Sequence, residues 1–400
     1  MKKSLVLVIN CGSSSLKFSL INPLTGEEKL TGLAQCLLLD NASITFNVNN
    51  SKQTLALPTP FDHDVAIKAL VTFITNNQLF DHVGAIGHRV VHGGEKYYQP
   101  TLISSQVKQQ IDTLAKLAPL HNPANLVGIE ATEKAFTDLP QVAIFDTAFH
   151  QTMPEKAFIY GLPYALYQDH AIRRYGFHGT SHYFVAKQAS KQLNKPLNQC
   201  NVISAHLGNG CSVSAIANGE SVDTSLGFTP LEGVVMGTRS GDVDAGIIFY
   251  LVNQLGYSLD QVNHLLNKES GLLGLSGISN DCRTIETEFA AGNPRAKLAI
   301  DVFCYRIAKT IAGFSASLTA LDGLIFTGGI GENSSTIRQL IVSQLSLLGF
   351  SLDQQRNETL PRGTQGAINA ENSRACWVIP TNEEWVIAEQ TQQLLNSKGE

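Results

Sequence analysis

The chain has 400 residues, of which 43% are hydrophobic, 8% aromatic and 16% charged, a composition typical of a globular protein long enough for two domains. Its formal net charge of -5 argues against a nucleic acid or an anionic membrane surface as partner. The seven cysteines form no CxxC pair, so we expect neither a zinc knuckle nor a disulfide framework, but free thiols in a reducing cytoplasm.

In chain order, the first predicted element is a strand over residues 5–9. Two lysines precede it, but the apolar run is short and a polar loop follows, which argues against a signal peptide. The most apolar stretch elsewhere, 298–318, contains three charged residues. It therefore predicts a buried core helix and not a membrane span.

The polar loop after this strand, Asn-Cys-Gly-Ser-Ser-Ser at 10–15, has a counterpart half a chain later in His-Leu-Gly-Asn-Gly at 206–210. Glycine lets backbone N–H groups approach an anion closely, and serine and asparagine side chains add donors, so each loop can hold a phosphate. The repeat predicts a duplicated domain with a phosphate chain between the copies. An Asn-Gly pair at 218–219 also predicts a hairpin turn. The strands that flank the two loops are predicted at 5–9, 16–21, 202–205 and 212–216.

The boundary between the two domains is predicted at 147–165. A strand-like run at 142–145 ends there at Asp146, and the chain then passes two prolines. Helical periodicity around residue 70 and over 298–318 mixes with the predicted strands, so the fold class is α/β.

A third glycine-rich segment, Thr-Gly-Gly-Ile-Gly-Glu at 327–332, follows the apolar run 324–326. We predict a strand, a loop and then a helix that is capped by Asn333 or Ser334 and closed by Gly349. A helix N-terminus behind a glycine loop suits nucleotide phosphates or a ribose. The alternative is a tight strand-to-helix turn.

Arginine and histidine gather in four short segments, at 87–94, 119–123, 173–182 and 237–242, and glycines interrupt most of them. Such segments are typical of loops at a cleft, and several cations or donors at one anionic site are what phosphoryl transfer requires. Two histidine pairs, His88/His92 and His178/His182, also have the spacing of helical zinc ligands. The HExxH glutamate is missing and glycines break both segments, which argues against zinc. The alternative for each single histidine is a hydrogen-bonded structural role.

Two carboxylates stand next to apolar runs. Asp146 ends a predicted strand and is a candidate for orienting a catalytic group or a metal-bound water, with a helix N-cap as the alternative. Glu383 lies in Thr-Asn-Glu-Glu at 381–384, which suits either a capping box or Mg²⁺ ligation, since Mg²⁺ takes one or two carboxylates besides phosphates and water.

With these residues in view, the sequence resembles the acetate kinase family from end to end. The resemblance rests on many motifs together: VINCGSSSLKFSL, GHRVVHGGEKY, APLHNPAN, FDTAFHQTMP, RRYGFHGTSH, SAHLGNGCSVSAI, DTSLGFTPLEGVVMGTRSGDVD, ESGLLGLSGISNDCR, FTGGIGEN and IPTNEE.

The resemblance implies the fold of the acetate and sugar kinase, Hsp70 and actin superfamily, with two related domains and ATP in the cleft between them. It implies a first domain over 1–150, completed by a C-terminal helix at 384–400, and a nucleotide-binding domain over 151–383. The implied reaction is reversible, Mg²⁺-dependent transfer of the ATP γ-phosphate to acetate, giving acetyl phosphate and ADP, with Mn²⁺ able to substitute and a homodimer as the assembly. A propionate or butyrate kinase, or a non-catalytic nucleotide-dependent module of the Hsp70 or actin kind, are the alternatives.

The family motifs also imply roles for individual residues. Metal ligation falls to Asn10 and Glu383, and binding of the acetate carboxylate to Arg89. The transition state is stabilised by His178 and Arg239 with His121 nearby, while Asp146 is the proton donor or acceptor. The acyl pocket is implied at Val91, Leu120, Phe177 and Pro230. Phosphate binding is implied at Ser13, Ser15, Lys17, His206, Leu207, Gly208, Asn209 and Gly210, and adenosine binding at Asp281, Cys282, Arg283, Gly329, Ile330, Gly331, Glu332 and Asn333.

The chemistry qualifies one of these roles. Acetate is ionised at neutral pH and needs no general base, so we expect Asp146 to orient Arg89 or a metal-bound water. Cys211 departs from the small residues usual in the family, and it is small enough to leave its loop intact but could make it sensitive to oxidation.

Overall fold

The computed structural model describes residues 4–49, 51–119 and 121–398. Its strands are Leu5–Cys11 (β1), Leu16–Ile21 (β2), Glu28–Gln35 (β3), Ser43–Val48 (β4), Ser51–Ala56 (β5), Val83–Val90 (β6), Thr101–Leu102 (β7), Gln141–Phe145 (β8), Val202–Leu207 (β9), Cys211–Ala217 (β10), Glu220–Thr224 (β11), Gly323–Thr327 (β12), Gly366–Ala367 (β13) and Ala375–Val378 (β14). Its α-helices are His63–Asn76 (α1), Ser105–Thr113 (α2), Asn122–Ala135 (α3), Glu155–Phe158 (α4), Ala165–His170 (α5), Gly179–Gln192 (α6), Gly246–Asn253 (α7), Leu259–His264 (α8), Gly271–Ser276 (α9), Cys282–Ala290 (α10), Pro294–Phe314 (α11), Gly328–Asn333 (α12), Ser335–Val342 (α13), Gln354–Thr359 (α14) and Glu383–Lys398 (α15).

The chain divides into two compact units. The first contains the residues up to Ala148 together with those from Asn382 onward, and the second contains Phe149–Thr381. Helix α15 therefore belongs to the first unit although it is last in the chain. No helix among the described residues is long and apolar enough to span a membrane.

The sheet of the first unit has the strand order β5-β4-β3-β2-β1-β6-β8-β7. Strand β1 is antiparallel to β2 and parallel to β6, and β6 is parallel to β8. Side chains alternate along β1, so Leu7 and Ile9 pack in the cluster that contains α1, whereas Val6 and Val8 pack with Ile387 of α15. Because both faces of β1 are covered, the strand reads as a continuous apolar run.

The sheet of the second unit repeats the central part of this arrangement. Its order is β11-β10-β9-β12-β14-β13, with β9 antiparallel to β10 and parallel to β12, and β12 parallel to β14. In both units the first strand of an antiparallel hairpin pairs in parallel with a third strand, which pairs in parallel with a fourth. The α/β class and the duplicated domain predicted from the two loops are confirmed by this shared strand order. Asn218 and Gly219 both have positive φ, as the predicted hairpin turn requires.

Two predicted elements were wrong in detail around the third glycine-rich segment. Residues 327–332 were predicted as a loop, but Gly328–Asn333 form the short helix α12, because the Glu332 carboxylate accepts a hydrogen bond from Gly328 N at 2.9 Å. Ser334, and not Asn333, caps the next helix by accepting from Ile337 N at 3.0 Å. That helix ends at Val342, and a separate 3₁₀ turn, Ser346–Leu348, precedes Gly349.

The predicted core helix at 298–318 is confirmed with shifted bounds. It starts at Pro294 after Asn293, whose side chain accepts hydrogen bonds from the backbone at Arg295 and Ala296, and it ends at Phe314. Proline at the first helical position and asparagine before it are a strong start signal.

Candidate active site

Three side chains of the first unit meet at the carboxyl ends of parallel strands. Asn10 lies near the end of β1, Arg89 near the end of β6, and Asp146 directly follows β8. The register pairs β1 with β6 and β6 with β8, so the three strand ends are neighbours at one edge of the sheet. This edge is where open α/β sheets bind ligands.

Arg89 and Asp146 form a bidentate ion pair. Arg89 Nε lies 2.9 and 3.1 Å from the two Asp146 carboxylate oxygens, and Nη2 donates to Oδ2. Arg89 Nη1 donates to Asn10 Oδ1 at 3.3 Å. Burial alone lowers the pKa of Arg89, but the carboxylates of Asp146 and Glu383 raise it above its ordinary value. Asp146 is buried, and its contacts with Nε and Nη2 fix the plane of the guanidinium. The remaining N–H groups of Arg89 can bind an anionic substrate.

Glu383 lies at the first residue of α15, beside this pair. The backbone of the helix start is capped by Asn382, whose Oδ1 accepts from Trp385 N at 2.8 Å, so the cap does not depend on Glu383. Burial raises the pKa of Glu383 to about 7, with Arg89 lowering it and Asp146 raising it. A half-buried carboxylate with such a pKa is typical of a functional position.

The loop at 10–15 is held in a tight turn. Gly12 N donates to Ser15 O at 2.8 Å, and the Gly12 carbonyl contacts His63 Nε2 at 2.8 Å. Asn125 of α3 donates to Cys11 O at 2.8 Å. This bracing leaves Ser13 exposed and Ser15 partly exposed. Lys17, also predicted to bind phosphate, forms an ion pair with Glu384.

The predicted acyl-pocket residues are distributed over the chain. Val91 is buried in the first unit, where its N–H donates to Asn125 Oδ1 at 3.0 Å. In the second unit, Phe177 is buried and Pro230 partly buried. Leu120 lies outside the described residues. His121 is exposed at the start of α3.

The second phosphate loop joins β9 to β10 within the second unit. Gly208 N donates to Gly210 O at 3.0 Å, and the thiol of Cys211 donates to Gly208 O at 3.1 Å. Burial raises the pKa of Cys211 to about 12, so the side chain is a neutral thiol that supports the loop.

Arg239 and His178 lie beside this loop. A Cβ atom on Gly210 would be 2.6 Å from Arg239 Nη2 and 3.5 Å from His178 Nε2, so glycine lets both side chains approach the backbone. His178 Nδ1 is 2.9 Å from Ser212 Oγ, and its ring stacks on His206 with centroids 4.3 Å apart. The arrangement brings a guanidinium, an imidazole and a glycine-rich loop together, as stabilisation of a transferring phosphoryl group requires.

The members of the two histidine pairs do not share a helical face. His88 lies in strand β6 and contacts Gln141 Oε1 at 2.7 Å. His182 contacts Ser204 and Ser212, while His178 precedes the helix that contains His182. Burial lowers the pKa of His88 to about 4 and that of His182 well below its ordinary value. Residues 4–49, 51–119 and 121–398 contain no group of three or more His, Cys, Asp or Glu side chains that could hold a metal.

Half of the sixteen predicted phosphate- and adenosine-binding residues line one cleft of about 500 Å³ in the second unit. Helix α10 supplies one wall, and Asp281 caps it by accepting from Arg283 N at 2.9 Å. The residues in question are Gly208, Asn209, Asp281, Cys282, Arg283, Gly329, Ile330 and Asn333.

Sequence reasoning missed several residues around this cleft. Glu286 and Arg362 also line it, and Glu286 accepts from Ser334 Oγ at 2.6 Å. Arg338 is buried and donates to the carbonyls of Gly331 and Glu332, both at 3.0 Å, which holds α12 in place. The sequence contained one signal that Arg338 is buried: it lies next to Ile337 on the apolar face of a predicted helix.

The sequence and the fold of this chain are similar to those of acetate and propionate kinases. The model of the acetokinase family matches residues 5–389. An acetate kinase from Shewanella sp. (strain W3-18-1) is 53% identical over the full length of both chains. A crystal structure of a propionate kinase from Francisella tularensis, 46% identical, covers 98% of this chain and 99% of its own with a TM-score of 0.93, and that of Porphyromonas gingivalis acetate kinase, 41% identical, covers 98% and 100% with the same score. The chain therefore belongs to the acetokinase family.

Proposed function

We propose that this protein transfers the γ-phosphoryl group of ATP to acetate, reversibly and by direct in-line displacement, to give acetyl phosphate and ADP. The observation that carries the proposal is the Arg89–Asp146 pair at the sheet edge, because a guanidinium fixed by a buried carboxylate is suited to hold a small carboxylate acceptor. Its context is a chain of the acetokinase family whose second unit contains a cleft lined by the predicted nucleotide residues.

In this proposal Arg89 binds and orients the acetate carboxylate. Acetate is already ionised at neutral pH, so its oxygen attacks the γ-phosphorus without a general base. Asp146 accordingly acts as a positioning residue: its two oxygens face Arg89 and hold the guanidinium in one orientation.

Arg239 and His178 stabilise the charge on the phosphoryl group in transfer. Both lie next to Gly210, and burial lowers the pKa of Arg239. Arginine side chains in proteins keep their positive charge at neutral pH. Cations placed before the reaction at the position where charge develops provide much of the rate enhancement in phosphoryl transfer.

The oxygens of Asn10 and Glu383 suit Mg²⁺, and we propose Mg²⁺, with Mn²⁺ as a substitute, as the metal. Both the Asn10 amide oxygen and the Glu383 carboxylate interact with Arg89. Proteins typically offer Mg²⁺ only one or two such hard oxygen ligands, and water and substrate phosphates fill the other coordination positions. When bound, the ion neutralises charge on the β- and γ-phosphates.

The experiment is ADP release measured with acetate, propionate and butyrate offered separately, with a reaction lacking any acid as the blank. We expect acetate to be preferred. A propionate kinase is the second candidate because the protein of that name from Francisella tularensis is 46% identical. ADP release that is independent of the carboxylic acid would contradict the proposal.

We propose a homodimer that uses the exposed apolar side chains on and after α7, among them Phe249, Tyr250 and Leu259, and molar mass in solution tests it. All seven cysteines are free thiols, which supports a cytoplasmic location. We also propose that the two compact units are its two domains.

A further inference from the structure

The segment that carries Arg239 is unusually long and irregular. Between β11, which ends at Thr224, and α7, which begins at Gly246, the chain forms neither helix nor strand. Much of residues 225–242, which we call the Arg239 segment, is nevertheless buried. Loops of this length without secondary structure are uncommon and mostly functional. Since neither helix nor strand hydrogen bonds fix the path of this segment, side chains elsewhere in the chain must do so.

Arg174 holds the start of the segment. Its Nη1 donates to the carbonyls of Thr224 at 2.8 Å and Ser225 at 3.2 Å, and its Nη2 donates to Glu232 Oε1 at 2.5 Å. One guanidinium thus joins the end of β11 and the first residue of the segment to Glu232 in its middle.

Tyr160 completes the network from the other side of the same carboxylate. Its hydroxyl donates to Glu232 Oε2 and accepts from Phe228 N at 2.8 Å. A Cβ atom on Gly227 would overlap Glu232 Oε2 and the Tyr160 hydroxyl, so the network is packed directly against the backbone. Both oxygens of Glu232 are therefore engaged.

Glu232 is two residues from the contact that positions Arg239. The carbonyl of Pro230 accepts from Arg239 Nη1 at 2.5 Å. On the other side of Glu232, Gly233 N donates to Asp242 Oδ1 at 2.7 Å, and Asp242 N donates to Gly233 O at 2.8 Å. Glu232 thus lies between a proline carbonyl that holds the guanidinium and a clasp that closes the segment.

We propose that Tyr160, Arg174 and Glu232 are positioning residues for phosphoryl transfer, acting by holding the Pro230 carbonyl where it orients the Arg239 guanidinium. This inference rests on the proposed role of Arg239. None of the three is expected to touch substrate, and their effect is on the orientation of a cation in the transition state.

Tyr160→Phe is the sharpest test because it keeps the ring and removes only the hydroxyl that bridges Glu232 and Phe228. We expect kcat to fall about 10- to 100-fold, the size of loss that a displacement of about 1 Å produces in a catalytic group. The KM for ATP should stay within about twofold, since the nucleotide cleft does not include these residues. Glu232→Gln keeps one acceptor oxygen and loses the other, so it should also lower kcat.

A double-mutant cycle separates positioning from general damage. If Tyr160 acts through Arg239, Tyr160→Phe should cause no further loss of kcat in the Arg239→Ala background. Arg306→Ala is the matched control, because Arg306 lines the same groove of about 300 Å³ as Arg174 and Glu232 but is exposed on α11, and it should have wild-type kcat.

Three results would overturn the inference. The first is wild-type kcat in both Tyr160→Phe and Glu232→Gln. The others are that Tyr160→Phe lowers kcat as much in the Arg239→Ala background as in wild type, or that Arg306→Ala lowers kcat as much as Tyr160→Phe does. A wild-type enzyme that forms no ADP in response to acetate refutes the proposed function instead, so the two failures are distinguishable.

Discussion

We predict that the Mg²⁺ requirement proposed above depends on pH through Glu383. Burial raises the pKa of this carboxyl to about 7, Arg89 lowers it, and Asp146 and Glu384 raise it. Only the ionised carboxylate can be a metal ligand. About nine tenths of Glu383 is ionised at pH 8 and about one tenth at pH 6, so half-maximal rate should need roughly tenfold more Mg²⁺ at pH 6.

The assay is a set of Mg²⁺ titrations of ADP release between pH 6 and 8, for wild type and Glu383→Gln in the same buffers. The terminal phosphate of ATP also titrates near pH 6, and the comparison removes this contribution because it is common to both proteins. The glutamine variant should need more Mg²⁺ than wild type at pH 8, and the two requirements should converge at pH 6. Glu371→Gln, at an exposed turn, is the matched control and should follow the wild-type curves.

The refuting result is a constant ratio of the two Mg²⁺ requirements across this pH range. It would mean that the pH dependence comes from the nucleotide alone and that Glu383 is not a metal ligand.

Further predictions concern single side chains. Arg89→Ala and Arg239→Ala should each lower kcat roughly 10²- to 10⁵-fold, because each removes a cation from the proposed site of phosphoryl transfer, and near wild-type kcat in either would refute its assignment. Wild type should prefer acetate over propionate by roughly 10- to 200-fold in kcat/KM, and Val91→Ala should narrow that preference by lowering the KM for propionate while the KM for ATP changes little; an unchanged ratio would place Val91 outside the acyl pocket. The Glu383 carboxyl ionises near pH 4.5 in the unfolded chain but only near pH 7 in the folded state. The contribution of its proton to the free energy of unfolding is therefore complete below pH 4.5 and is lost as the pH rises through 7. Metal-free Glu383→Gln should therefore be more stable than wild type at pH 8, by about 1–3 kcal/mol in denaturant unfolding, and equal stability would contradict the raised pKa.

The duplicated architecture was predictable because its signal is local. A strand, a small polar loop and a second strand leave a pattern of apolar runs and glycines in the sequence, and the pattern occurs at both 10–15 and 206–210. The pairing of Arg89 with Asp146 could also be predicted from the sequence. Asp146 follows a predicted strand, Arg89 lies near the end of an apolar run, and the carboxyl ends of parallel strands lie at one edge of a sheet.

Other features depend on contacts that are distant in sequence. Glycines at 328, 329 and 331 predict a loop, and a helix forms there because Glu332 and the buried Arg338 bond to its backbone. The partnership of Tyr160 with Glu232 spans 72 positions and has no periodicity that could indicate it. Such tertiary bonds override local propensity and were invisible to pattern reasoning.

Helix α15 has a consequence for how the protein is made. Its Ile387 and Ala388 complete the apolar cluster that covers Val6 and Val8 of the first strand, and its first residue is Glu383. During translation, the first strand is therefore synthesised hundreds of residues before the helix that covers one of its faces. Until synthesis reaches that helix, the nascent first unit exposes apolar surface, whereas Phe149–Thr381 contains its own sheet and can fold earlier. A ribosome that stalls shortly before this helix would thus release a chain with one intact half and one aggregation-prone half.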